Sequence, residues 1–172
     1  MERINQHQQR QILAAFAIAF GLTCLMPAVT SWASLCYFAP FLVIVLYKRP
    51  FRQTLAWAVG CGLIMDVLSG YPNLGIHAIA YCGGVAVLKT QKQNFFDYYA
   101  STIPVFTYLF ASSSTLFLML LYRFFGSPLE MSGYWILTDL LIYPAFDALY
   151  AYLIYTLPGL FMPTSPKHEY FL

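Results

Sequence analysis

Charge is what this chain has least of. Of its 172 residues, 9% are Asp, Glu, Lys or Arg, against roughly a quarter in an average soluble domain. Hydrophobic residues make up 60%, and the mean hydropathy is +0.63. A fold of this size leaves a large share of its surface exposed. That much apolar surface cannot all be hidden in a water-soluble core, so the expectation is an integral membrane protein with the bilayer as solvent. Other scarcities narrow function. There are three histidines and four cysteines. Cys24, Cys36, Cys61 and Cys82 stand within apolar runs without metal-type spacing, which argues against a zinc or disulfide framework and for buried thiols acting as small hydrophobes. No Gly-x-Ser-x-Gly, His-Glu-x-x-His or spaced Cys–His signature occurs. No catalytic set, cofactor site or metal site is therefore expected, and the chain reads as a non-enzyme. The basic residues are too few and too scattered for nucleic acid.

What is present is a series of apolar stretches of membrane-crossing length. About 20 residues span a bilayer core of about 30 Å. On that basis six spans are expected, at about 11–28, 32–47, 51–69, 76–88, 98–122 and 134–157. Lys and Arg fall between them in clusters: Arg3 and Arg10; Lys48, Arg49 and Arg52; Lys89 and Lys92; and Lys167. With the amino terminus inside, the outer loops are 28–31, 70–75 and 123–133, and Arg123 is the one basic residue of nine in them. The positive-inside rule then orients the chain with both termini cytoplasmic. The fold class expected is an all-α membrane protein, one compact six-helix bundle over residues 1–172 without a soluble domain. Arg3 and Arg10 ahead of the first run, with Ser31-Trp32-Ala33 after it, also have the ingredients of a signal peptide; a retained helix is the preferred reading. Trp32, Tyr47, Tyr71, Tyr98, Tyr99, Tyr122, Tyr134, Trp135 and Tyr170 gather near span ends, where amphipathic rings act as interfacial anchors.

Against this background Asp66 stands out. A carboxyl group at membrane depth costs roughly 2.5–3.5 kcal/mol on insertion scales. Ala58, Gly62, Asp66 and Gly70 fall four apart, so they share one helix face. Small residues at that spacing let a second helix approach closely. Two readings of Asp66 stand: a buried carboxyl hydrogen-bonded to His77 or to a backbone N–H of the Gly70–Gly75 turn, or a protonatable or ligand-binding site. In the first, Asp66→Asn should be far milder than Asp66→Leu. Asp139, Tyr143 and Asp147 form a second stripe in the last span. Two carboxylates on one face suit a cation or proton path, helix packing, or contact with a partner helix. Pro144 beside them frees a carbonyl that a neighbour must satisfy. Ser112, Ser113, Ser114 and Thr115 lie mid-span, where hydroxyls usually bond back to their own helix.

The pattern Gly62-Leu-Ile-Met-Asp66-Val-Leu-Ser-Gly70, followed by Gly75-x-His77-Ala, resembles the signature of the bacterial rod-shape-determining MreD family. Chain length and span number agree with it. The paired aspartates of the last span and the aromatic fifth span are departures. The resemblance implies a non-enzymatic inner-membrane scaffold of the cell-elongation complex, organising lateral peptidoglycan synthesis and cell shape. Its implied partners are MreC, a single-span periplasmic protein, together with MreB, RodA and its penicillin-binding transpeptidase. Gly62, Asp66, Gly70, Gly75 and His77 are its motif residues. The alternative is a six-span substrate-binding subunit of a vitamin or metal transporter, which would need a polar cavity with convergent side chains. An enzyme acting on lipid with Asp66 as base is weaker, because no nucleophile–base pair accompanies it.

Overall fold

The computed structural model describes residues 2–29, 35–69, 74–92, 102–125, 134 and 136–156. Gly70, the Ser31–Ala33 segment, Trp135 and several of the expected interfacial aromatics (Trp32, Tyr71, Tyr98, Tyr99, Tyr170) lie outside these. Among the described residues every regular element is helical. The helices are α1 (Glu2–Val29), α2 (Ala39–Lys48), α3 (Phe51–Ser69), α4 (Ile76–Lys92), α5 (Thr102–Phe124) and α6 (Tyr143–Ala151). Helix α6 is continued at both ends by π-helical turns, Ile136–Ile142 and Tyr152–Thr156.

Among the described residues there are thus six helices, and two helical stretches there, Thr102–Phe124 and Leu137–Thr156, are long and apolar enough to cross a membrane. The largest departure from expectation is α2. The second span is expected over 32–47, yet the helix starts only at Ala39, with Pro40 in its first turn. It stops where Arg49 turns extended ahead of Pro50, the Arg49 N–H closing onto the Val45 carbonyl at 2.8 Å. Ten residues rise about 15 Å, half of what a span requires. Every residue from Ala39 to Leu46 is buried. This short helix is the core around which the others stand. Phe16 of α1, Phe41 of α2 and Trp57 of α3 meet with ring centroids 5.4–5.5 Å apart, and Phe106 and Phe110 of α5 complete the interior.

Basic side chains close one end of the bundle. The Lys92 ammonium donates to the Leu46 carbonyl at 2.9 Å and sits 5.1 Å from the Tyr47 ring centroid. It thereby supplies a donor and a positive charge where α2 has carbonyls without helical partners. Lys89 lies 4.3 Å over the Phe51 ring, and Lys48 donates to the Gln11 side chain. Tyr47 is drawn inward here: it is half-buried, its ring 5.5 Å from Phe106, which differs from the interfacial anchor expected of it. Large apolar side chains face outward from other helices, including Val59, Leu63 and Val67 on α3 and Leu109, Leu116 and Leu120 on α5.

Candidate functional site: the Asp66 knot and the adjoining cavity

At the end opposite the basic cluster, α3 hands over to α4. Asp66 is 2% exposed and spends both carboxylate oxygens on the start of α4. Oδ2 accepts the Gly75 N–H at 2.8 Å; Oδ1 accepts the His77 N–H at 3.0 Å and lies 2.7 Å from His77 Nδ1. A helix begins with N–H groups that lack intrahelical partners and with a partial positive charge. Asp66 is a cap supplied from the preceding helix. An ionised carboxylate only accepts, so Nδ1 carries the imidazole proton, and in the neutral ring Nε2 is left with a lone pair.

Two glycines make this geometry possible. A Cβ at Gly62 would fall 2.5 Å from the Ala78 backbone nitrogen, so the α3 and α4 backbones cross in contact there. Gly75 has φ 101°, a conformation L side chains rarely adopt, and it turns the chain into α4. Ala58 and Gly62 share the buried face with Asp66; Gly70, the fourth member of the expected stripe, lies outside the described residues.

The second stripe lands on a different element geometry. Asp139 sits in the first π-helical turn, Tyr143 opens α6, and Asp147 is 2% exposed within it. The Leu140 carbonyl, four residues before Pro144, lacks the N–H that an ordinary residue at 144 would offer. Ser112 of α5 donates to it instead, at 3.2 Å. Ser113 and Ser114 bond back to their own helix through the Phe110 and Ala111 carbonyls, as hydroxyls in mid-span usually do, and Ser112 is the exception.

Between α3, α4, α5 and α6 lies a cavity of about 320 Å³. Asp139, Tyr143 and Asp147 line one side; His77 and Tyr81 of α4 line another, with Ser114 and Thr115 of α5 between. Leu35 and Cys36, in the stretch that leads into α2, also line it. Cys36 is more than a small hydrophobe. Its N–H donates to both Asp147 oxygens, at 3.0 and 3.2 Å, and its thiol donates to the Tyr81 hydroxyl at 3.3 Å. Cys61 is buried as expected, whereas Cys24 is exposed. All four thiols are free. Among the described residues the one basic side chain within 4 Å of a carboxylate is His77, on Asp66, so neither Asp139 nor Asp147 has a counter-charge among them.

The two stripes read from the sequence therefore meet different ends: the first becomes a helix junction, and the second becomes cavity wall. His77 belongs to both. Sequence reasoning missed Cys36 and Tyr81, whose roles depend on contacts 111 and 45 residues away. It also missed Gly83 and Gly84, where a Cβ would meet the Phe117 and Phe110 rings at 2.8 and 2.9 Å; adjacent glycines inside a helix were the available signal. Compared with known proteins, the chain matches no family model, no curated protein and no solved structure.

Proposed function

We propose that this chain is a multi-pass protein of the bacterial inner membrane, both termini cytoplasmic, and a non-enzymatic scaffold of the cell-elongation complex akin to MreD. The observation that carries the reading is the Asp66 knot. The motif residues Gly62, Asp66, Gly75 and His77 converge on one helix junction, and their polar groups go to building it. Such a junction holds helices in a fixed relation and so presents their outer faces as a rigid surface, which is what a scaffold needs. The membrane part of the proposal rests on composition, on α5 and the 137–156 helix, and on the outward-facing apolar side chains. In hydrocarbon the outward stripes of α3 and α5 are solvated by lipid or covered by partner helices, which associate there by close packing.

The test is affinity purification of the full-length chain from its native bacterial membrane in mild detergent. The expected result is co-purification of a single-span periplasmic protein of MreC type with RodA and its transpeptidase. A preparation free of any wall-synthesis component would overturn the reading. One that instead held a vitamin or metal at one per chain would favour the carrier reading.

A further inference from the structure

We propose that the cavity between α3, α4, α5 and α6 is a binding site for a small organic ammonium ion, with Asp139 and Asp147 as counter-charges and His77 Nε2 as a further acceptor. The inference does not depend on the scaffold reading, because it concerns a property of the isolated chain.

The first support is size and character. A volume of about 320 Å³ lies at the small end of the range for organic-ligand sites, which pair mainly apolar walls with a few convergent polar groups. Met65, Leu118 and Met119 supply apolar wall.

The second support is the balance of donors and acceptors. Cys36 commits its N–H to Asp147 and its thiol proton to Tyr81, and Ser114 commits its hydroxyl proton to the Ala111 carbonyl. Tyr81, which accepts the Cys36 thiol, keeps its own hydroxyl proton to donate, while the two carboxylates and the imidazole keep acceptors. Asp147 holds one backbone donor against a capacity of about four, and Asp139 holds the Thr138 hydroxyl at 2.8 Å. His77, its Nδ1 proton committed to Asp66, has Nε2 to accept. A ligand that complements the two carboxylates and Nε2 donates hydrogen bonds and carries positive charge. Tyr81 and Tyr143 also line the cavity, and an aromatic ring within reach of an ammonium attracts it.

The third support is energetic. Asp147 is 2% exposed with no cationic partner among the described residues, and a buried uncompensated charge is costly. An ammonium group in the cavity removes that cost. A bare divalent metal is disfavoured, because no three His, Cys, Asp or Glu side chains among the described residues are grouped to hold one.

The fourth support is how the backbone makes the space. The chain is not helical at Leu35 and Cys36, and the π-helical turn 136–142 displaces the usual register beside Asp139. Irregular backbone inside a helical bundle is tolerated where it lines a cavity, and π-turns within helices are frequent at functional sites.

The experiment is calorimetric titration of the purified full-length chain in detergent with benzylammonium, and with benzyl alcohol as the uncharged counterpart. The expected result is saturable one-to-one binding of benzylammonium, at least ten-fold tighter than benzyl alcohol. Asp147→Asn should weaken it ten-fold or more. Asp139 is partly exposed and, among the described residues, bonds to its neighbour Thr138, so Asp139→Asn should keep the fold and weaken binding several-fold. Equal affinity for the two probes, absence of saturable binding, or full affinity in Asp139→Asn would each overturn the proposal.

Discussion

At the residue scale, Asp66 joins α3 to α4 through three contacts divided between its two oxygens, and this division fixes what substitution does. Asp66→Leu removes all three acceptors and leaves two backbone N–H groups and an imidazole N–H without partners. We expect a loss of about 3–5 kcal/mol, since each buried donor left unsatisfied costs roughly 1–3 kcal/mol, read as a lowered Tm of the detergent-solubilised protein. Sequence reasoning makes Asp66→Asn much milder than Asp66→Leu, on the ground that an amide preserves most of the bonding. The geometry adds why the amide still loses something. An asparagine can keep the Oδ1 contacts to His77 but must turn its NH₂ toward the Gly75 N–H, donor against donor. The Asn variant should therefore lose about 1–3 kcal/mol, the cost of an unsatisfied buried group, and fall between wild type and Leu in the same melts. Gly75→Ala, at φ 101°, should cost about 1–2 kcal/mol from backbone strain alone. That Asp66 would bond to His77 or to the turn was legible in the sequence, because a carboxyl in an apolar run ahead of a glycine-bounded turn has few other donors within reach. That it would use both oxygens was not, since this depends on how far Gly62 lets α4 approach.

At the element scale, the last helix shows how one proline is accommodated by a residue from a neighbour. Ser112 answers the Leu140 carbonyl that Pro144 leaves without its usual donor. The two should be energetically coupled. Ser112→Ala alone is expected to cost about 1 kcal/mol. In a Pro144→Ala background the helix can bond its own carbonyl, and the same serine substitution should cost close to nothing. A double-mutant cycle by thermal or denaturant unfolding measures the difference; additive effects would show that the serine bond is incidental. The sequence discloses the proline and the need for a donor, but periodicity alone does not say which of three adjacent serines faces it. Nor does it disclose the π-helical turns, so the expected i, i+4, i+8 stripe of Asp139, Tyr143 and Asp147 takes no account of the local change of pitch. Helix α3, whose ends Phe51 and Ser69 agree with expectation, was the most legible element, bounded by Pro50 on one side and a glycine turn on the other.

At the scale of the whole molecule, the bundle is polarised. Lys48, Lys89 and Lys92 converge on one end, and the Asp66 junction and the mouth of α4 stand at the other. In the orientation proposed here the basic end is cytoplasmic. A membrane-impermeant maleimide applied to intact cells should label Leu74→Cys, whose parent side chain is 71% exposed, and should spare Arg52→Cys until the membrane is permeabilised. A Cys24→Ser background removes the exposed native thiol. The reverse pattern would invert the topology. The number of helices was legible in the sequence. The cavity was not, because it arises from the late start of α2 and the π-helical turn of the last helix together, and neither leaves a compositional trace.

The shortness of α2 also bears on how the protein is made. A helix of ten residues that is buried along nearly its whole length is too short to partition into a bilayer on its own account. Its main neighbour, α5, is synthesised more than fifty residues later. During translation Phe41 meets Phe16 of α1 and Trp57 of α3 early, but the face of α2 that packs on α5 must wait for it, sheltered in the meantime by the insertion machinery. The bundle thus matures from the outside inward, and its centre is the last part to be sealed.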